Sequence, residues 1–164
     1  MPISRRNFIG KTAGLGALAA VSPVSLSAQD RRDVTSHLID AAKQPVLDQT
    51  QFKEPVIIES IDLLRKGKQH YVRVRSKDGA EGISLDNNRA QYLAPIFLQR
   101  VAPFFIGKDA RLLEDHLWEL YRWGSNYKLQ GLAFWSPVAW VEFAILDLLG
   151  RVSDKSMGEL LGGV

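Results

Sequence analysis

The chain has 164 residues without a cysteine, and its 21 basic residues outnumber its 18 acidic ones by three. This length suits one domain with its own core, held together by packing and not by disulfides. The basic excess equals Arg5, Arg6 and Lys11, so the rest of the chain is electrically balanced. That balance excludes the wide basic surface of a nucleic-acid-binding protein.

Residues 1–28 have the order of an export signal: a basic start, a short apolar stretch, and small residues before a cleavage point after Ser27 or Ala28. The apolar stretch, residues 13–21, is far shorter than the roughly 20 residues of a membrane span. The start resembles the twin-arginine signal family through Ser4, Arg5, Arg6, Phe8, Ile9 and Lys11. The resemblance implies folding in the cytoplasm, export by the twin-arginine translocase and work in the periplasm. An ordinary secretory signal with two arginines is the alternative.

Residues 29–55 mix charges, glutamine and two prolines with little apolar periodicity. This composition predicts a linker or arm, with one or two helical turns around residues 34–42.

Strands are predicted from residue 56 onward. Residues 56–64 are β-branched and apolar, and residues 69–76 alternate strictly between two faces, as in a half-exposed strand. One face carries Val72 and Val74, and the other carries Tyr71, Arg73 and Arg75. Asp78-Gly79 then predicts a turn into a third strand with Ile83 and Leu85. The prediction is a three-stranded antiparallel meander.

Two helices are predicted after the sheet. The first begins at Asn87 or Asn88, either of which is a good N-cap, and it must kink or restart at Pro95. The second is capped by Asp109 and pairs Arg111 with Asp115 on its surface.

A third helix is predicted with Ser136 as N-cap and Pro137 as first residue. Only Glu142, Asp147 and Arg151 interrupt its apolar sequence, so it must be covered on nearly every side. The meander and two helices cover one side, and we expect another body of protein over the rest. Asp147 is expected to pair with Arg151 or to cap a neighbouring element.

The end of this helix carries a motif of Ala144-Ile145, Asp147-Leu148 and Gly150, followed by Leu-Leu-Gly-Gly at residues 160–163. After a meander and helices, this order resembles the N-terminal capping domain of the mandelate racemase and muconate lactonizing enzyme family, within the enolase superfamily. The family's Ala-Leu-Trp before the aspartate is kept only loosely. The resemblance implies an α+β fold, a meander followed by a helical bundle, at residues 56–164.

The resemblance also implies an activity. Members of the family abstract the proton α to a carboxylate and stabilise the enediolate on Mg²⁺, with residues of a C-terminal (β/α) barrel. The sequence ends before the first barrel strand, so no catalytic, cofactor-binding or metal-binding residue is assigned. We expect a truncated racemase, epimerase or dehydratase for an acid sugar or hydroxy acid, homo-oligomeric in its complete form. The alternative is a free-standing periplasmic binding or interaction module without catalysis.

In the family, the loops after the first and third strands close over the barrel as a substrate lid. They correspond here to Lys66, Gly67 and Lys68, and to Asn87 and Asn88. The lysines could attract an acidic substrate or form a solvated turn, and the asparagines could instead be helix caps.

Other residues with reactive side chains favour structural roles. His37, His70 and His116 lack the spacing of metal ligands. Glu114, Asp115 and Glu119 are expected on a solvated helix face. Trp118, Trp123, Trp135 and Trp140 are expected in the core or an interface and not in a sugar-stacking platform.

Overall fold

The structure is a computed structural model that describes residues 28–162. The predicted export signal, with Arg5, Arg6 and Phe8, lies outside the described residues. The chain divides into two units, residues 1–44 and residues 45–164, and each is described by itself. The first contains helix α1 (Ala28–Lys43), which is longer than the one or two turns that the sequence predicted there.

The second unit is built on the predicted antiparallel meander: β1 (Ile58–Lys66), β2 (Gln69–Ser76) and β3 (Glu81–Leu85), in the order β1-β2-β3. Val72 and Val74 are fully buried, as the alternation predicted. Gly79 has φ of +85° in the turn before β3, a conformation that glycine adopts without strain. The fold class predicted from the sequence is confirmed.

The helices follow the sheet. In chain order, the helical segments after β3 are α2 (Ala90–Ile96), a π-helical turn (Phe97–Val101), α3 (Ala102–Phe105), a 3-10 turn (Ala110–Leu112), α4 (Leu113–Arg122), a 3-10 segment (Trp123–Lys128), α5 (Leu132–Ser153) and α6 (Met157–Leu160). Before β1, the segment that the sequence analysis assigned to the linker adds Leu47 and Phe52 to the core.

Each edge strand of the sheet makes backbone hydrogen bonds with other parts of this unit. Along β1, the N–H of Ile58 donates to the carbonyl of Lys108 at 2.9 Å, and its carbonyl accepts from Gly107 at 2.8 Å. Along β3, the N–H of Ile83 donates to the carboxylate of Asp147 on α5 at 2.8 Å. Strand edges with free backbone groups invite pairing with other chains, and these contacts occupy part of each edge.

Helix α2 begins later than the sequence predicted. Its N-cap is Arg89, and neither Asn87 nor Asn88 caps it. The side chain of Asn87 instead accepts from the N–H of Arg89 at 3.1 Å, in a turn that precedes the helix. Pro95 lies inside α2, where it lacks an N–H and crowds the preceding turn, and the backbone becomes π-helical from Phe97 onward.

The predicted start of the last helix is also wrong. Helix α5 begins at Leu132, so Ser136 and Pro137 lie inside it. Phe134 is fully buried, and Trp135 stacks on Tyr121 with ring centroids 5.7 Å apart. This aromatic packing stabilises the earlier start, and it outweighs the cost of Pro137 inside the helix, where the proline lacks an N–H and crowds the preceding turn.

The predicted pair of Arg111 with Asp115 does not form. Arg111 lies in a 3-10 turn, and its guanidinium binds the carboxylate of Asp109 at 2.8 Å. Asp109 caps that turn by accepting from the N–H of Arg111 at 3.1 Å, whereas α4, for which the sequence predicted this cap, has Leu112 as its N-cap.

Helix α5 is covered by its own unit far more completely than predicted. Between residues 137 and 152, the exposed residues are Phe143, Arg151 and Val152. Strand β3 passes so close that a Cβ on Gly82 would overlap the backbone of Ala144. The inference of a missing covering body from burial alone is therefore wrong. By length and composition α5 could cross a bilayer, but 61% of its most apolar window is buried, as in a core helix.

Candidate functional site

The hairpin between β1 and β2 is a two-residue turn. Lys66 pairs with Gln69, so Gly67 and Lys68 form the turn, and Gly67 has φ of +64°. Arg65 Nε donates to the carbonyl of Gly67 at 2.7 Å, which holds the turn closed. Lys66 and Lys68 are exposed at its tip.

The segment after β3 meets this hairpin at Asp86. Gln69 Nε2 donates to Asp86 Oδ1 at 2.8 Å, and His70 Nδ1 lies 3.8 Å from Asp86 Oδ2. The Asp86 side chain is only 2% exposed, so its carboxylate points into the protein, whereas Asn87 and Asn88 are exposed. The structure thus brings the two predicted lid segments together at one end of the sheet.

A groove of about 400 Å³, here called the Asp86 groove, lies between this end of the sheet and α5. Its lining consists of Leu85, Asp86, Asn87, Leu132, Trp135, Ser136, Ala139, Trp140 and Phe143. Trp140 belongs to the core, whereas Trp135 and Phe143 remain about half exposed, at 44% and 53%. The α5 wall of this groove was not predicted from the sequence. The spacing of positions 132, 135, 139 and 143 was the signal that they share one helix face.

A second groove of about 410 Å³, here called the Glu142 groove, lies between α4 and α5. Its lining consists of Val46, Leu47, Leu113, Glu114, Leu117, Trp118, Glu142, Leu146 and Leu161. The rim is apolar yet open, since Trp118 is 70% exposed and Val46 is 61% exposed. Burial raises the pKa of the Glu142 carboxyl.

The two carboxylates of the Glu142 groove differ in their partners. Glu114 Oε1 accepts from the N–H of Val46 at 2.7 Å and from that of Leu47 at 2.6 Å. Glu114 therefore anchors the segment before β1. The sequence had predicted a solvated helix face for Glu114, and that prediction is wrong. On the same helix, Glu119 pairs with Lys108 at 2.8 Å.

Residues 28–162 contain no group of three histidine, aspartate or glutamate side chains that could hold a metal ion. The buried His116 places its Nε2 3.0 Å from the carbonyl of Asp109 and its Nδ1 3.5 Å from Glu119. These contacts join α4 to the turn before it, and they give His116 a structural role.

Comparison with known proteins extends these observations. Residues 46–162 match the family model described as the mandelate racemase / muconate lactonizing enzyme, N-terminal domain. The chain is 34% identical over 94 residues to a D-galactonate dehydratase family member from Pseudarthrobacter chlorophenolicus, which covers 56% of this chain and 22% of that protein. The chain spans about a quarter of the length of the curated relatives that it matches.

Solved structures share the fold. A protein assigned as a racemase, from Roseobacter denitrificans, superposes with a TM-score of 0.59 at 28% identity, over 66% of this chain and 29% of that one. A mandelate racemase/muconate lactonizing protein from Paracoccus denitrificans PD1222, complexed with magnesium, has a TM-score of 0.53 at 19% identity, over 67% and 30%. The second likeness shows the fold alone.

Proposed function

Because the chain belongs to the mandelate racemase / muconate lactonizing enzyme family of the enolase superfamily, as its N-terminal domain, we propose that residues 46–162 cap an enzyme that removes the proton α to a carboxylate. The domain is homologous to dehydratases and racemases. The identity to a D-galactonate dehydratase family member favours an acid sugar as substrate and dehydration as the reaction.

The observation that carries this proposal is the family match, which spans the meander and all helices of the second unit up to residue 162. The hairpin end of the sheet supports it further. Two segments far apart in sequence meet there through Gln69 and Asp86 and expose Lys66, Lys68 and Asn87. In this proposal they form the lid over a barrel, where the lysines attract an acidic substrate.

The Mg²⁺ that the proposed chemistry requires does not fit the described part of this chain. Residues 28–162 contain no group of three aspartate, glutamate or histidine side chains that could hold the ion, and a lone carboxylate such as Asp86, with one oxygen bonded to Gln69, does not make a Mg²⁺ site. The proposal therefore assigns the metal ligands and the catalytic bases to a barrel segment, and it gives this domain the roles of closing the site and selecting the substrate.

Export by the twin-arginine route is part of the proposal, and it rests on residues 4–11. Replacing Arg5 and Arg6 together by lysine keeps the charge but removes the motif. We expect the wild-type product in the periplasmic fraction and the double variant in the cytoplasm, measured by immunoblot after spheroplasting. Unchanged export of the double variant would point to the general secretory route.

The enzymatic proposal is tested on the product of the native locus. An epitope inserted after Asp78, in the turn between β2 and β3, allows its detection and purification. We expect a product four- to fivefold longer than the aligned segment of 94 residues, in line with the Pseudarthrobacter relative. Incubated with Mg²⁺ in D₂O, it should remove the α-proton signal of D-galactonate or D-mannonate in ¹H NMR spectra, and EDTA should prevent the loss.

The alternative is a free-standing binding module, and the coverage of α5 favours it. Since the unit buries most of α5 by itself, it needs no second domain to shelter this helix. A short periplasmic product without proton exchange would establish this alternative and reject the capping function.

A further inference from the structure

The Glu142 groove contains an acidic group whose charge is not neutralised. Glu142 forms no hydrogen bond or ion pair with any residue of the described chain, and it is partly buried beside Leu117 and Leu146. Glu114, the other carboxylate of the groove, is already bonded to two backbone N–H groups. A partly buried carboxylate without a partner is costly, and such groups in proteins are normally paired.

The lining indicates what would neutralise Glu142. The residues that line the groove include no lysine, arginine or histidine, and apart from Glu114 and Glu142 they are all apolar. An arginine or lysine side chain fits such a lining, because its aliphatic stem packs on leucines while its charged head reaches a carboxylate. The exposed Trp118 at the rim offers an aromatic face for a guanidinium.

The position of the groove identifies the source of that side chain. Leu161 is 43% exposed and forms part of the groove wall, directly before the family match ends at residue 162. In the relatives, which are about four times longer than the matched part, the chain continues beyond this domain. A segment that follows residue 162 would leave the domain beside the groove.

We propose that the Glu142 groove is a docking site for a basic side chain of the barrel, which pairs with Glu142 and lies against Trp118. This inference rests on the proposed capping function. It assigns Glu142 to the contact between the two domains, and Glu142 does not line the Asp86 groove.

The chemistry of the groove is tested on the 164-residue chain with n-butylguanidinium as the probe. In ¹H–¹⁵N spectra, we expect saturable shifts at Trp118, Glu142 and Leu161, and none with the neutral isostere n-butylurea. Glu142→Gln should weaken binding by about fivefold or more, because it removes the charged partner. Asp115→Asn, on the exposed face of α4, is the matched control and should bind like the wild type.

The barrel as occupant is tested on the product of the native locus by hydrogen exchange. Relative to the 164-residue chain, residues 113–118 and 157–161 should be protected, and Glu142→Gln should lose this protection while Asp115→Asn keeps it. The proposal would be overturned if n-butylguanidinium shifted signals elsewhere in the chain, or if Glu142→Gln bound it as tightly as the wild type. A concentration-dependent dimer that disappears in Glu142→Gln would overturn it as well. A short product that still binds n-butylguanidinium would reject the capping function and the barrel as occupant, but not Glu142 as the cation-binding group.

Discussion

Helix α5 carries two carboxylates five residues apart, and they lie in opposite surroundings. Asp147 accepts from the N–H of Ile83 at 2.8 Å and from Arg151 Nε at 3.0 Å. Glu142 has no such partner within residues 28–162, and burial raises the pKa of its carboxyl. One side of the helix therefore completes the sheet, whereas the other leaves a charge in an open groove.

The difference shows how neighbouring backbone decides the role of a side chain. On the Asp147 side, β3 is close enough to donate a backbone N–H, because Gly82 lets the strand and helix backbones touch. On the Glu142 side, the neighbouring helix α4 presents Leu117 and Trp118. An α-helix offers no free N–H groups in its interior, so a carboxylate facing it must find a partner elsewhere.

The largest expected effect on stability comes from a substitution at Gly82, on the Asp147 side of α5. In Gly82→Ala, the new methyl group would overlap the backbone of Ala144 and lie 2.7 Å from Leu148 Cα. We expect a loss of about 3 kcal/mol in the free energy of unfolding, because neither backbone can move aside. Urea unfolding followed by circular dichroism measures it. Gly158→Ala is the control, since its nearest neighbour would be at an ordinary 3.8 Å, and an equal loss there would refute the explanation.

A smaller loss of stability is expected when the carboxylate of Asp147 is removed. Asp147→Ala leaves the N–H of Ile83 without its acceptor, which should cost about 1–3 kcal/mol in unfolding free energy. Arg151→Ala removes only an exposed ion pair and should cost about 0.5 kcal/mol or less. Hydrogen exchange at the Ile83 amide should accelerate in the first variant alone. Equal effects would mean that the ion pair, and not the strand edge, matters.

Glu114 lies in the same groove as Glu142 but has hydrogen-bond partners, so its removal should destabilise the protein. Glu114→Ala frees the N–H groups of Val46 and Leu47 and should cost about 1–2 kcal/mol. Glu114→Gln keeps an oxygen acceptor and should cost less. Thermal unfolding of both variants checks the order, and a glutamine as harmful as the alanine would show that charge outweighs the hydrogen bonds.

Glu142 should give a small effect with the opposite sign. Because burial raises its pKa, the folded chain resists ionisation, and the penalty grows as the pH rises above the ordinary value of 4.5. Glu142→Gln should therefore stabilise the 164-residue chain at pH 7 by about 1 kcal/mol or less, and not at all below pH 4. Denaturation at both pH values measures the difference. A loss of stability at pH 7 would imply an internal partner for Glu142.

The predictions for β2 and for Asp147, which rest on local patterns, agree with the structure. Alternation along β2 correctly placed Val72 and Val74 in the core, because strand geometry alone decides which residues share a face. Both partners expected for Asp147 are present, since Arg151 lies one turn away and an apolar helix must pack on the strands before it. The family resemblance also follows from ordered local motifs.

Predictions of helix ends and coverage failed where distant residues decide. Ser136 and Pro137 predicted a helix start, but the burial of Phe134 outweighed these local signals. The coverage of α5 could not be judged without knowing that Gly82 admits β3 against the helix. The Glu142 groove was likewise invisible, because its walls come from residues 46 to 161.

By itself, the sequence determined the meander, the order of the helices and the family, because hydrophobic period and turn residues act over a few positions. Only the tertiary structure decided that the hairpin end joins Gln69 to Asp86, that β3 shelters α5, and that Asp147 is satisfied while Glu142 is not. These outcomes depend on which backbone and side-chain groups meet across long stretches of chain. Their distances and burial exist only in the folded protein.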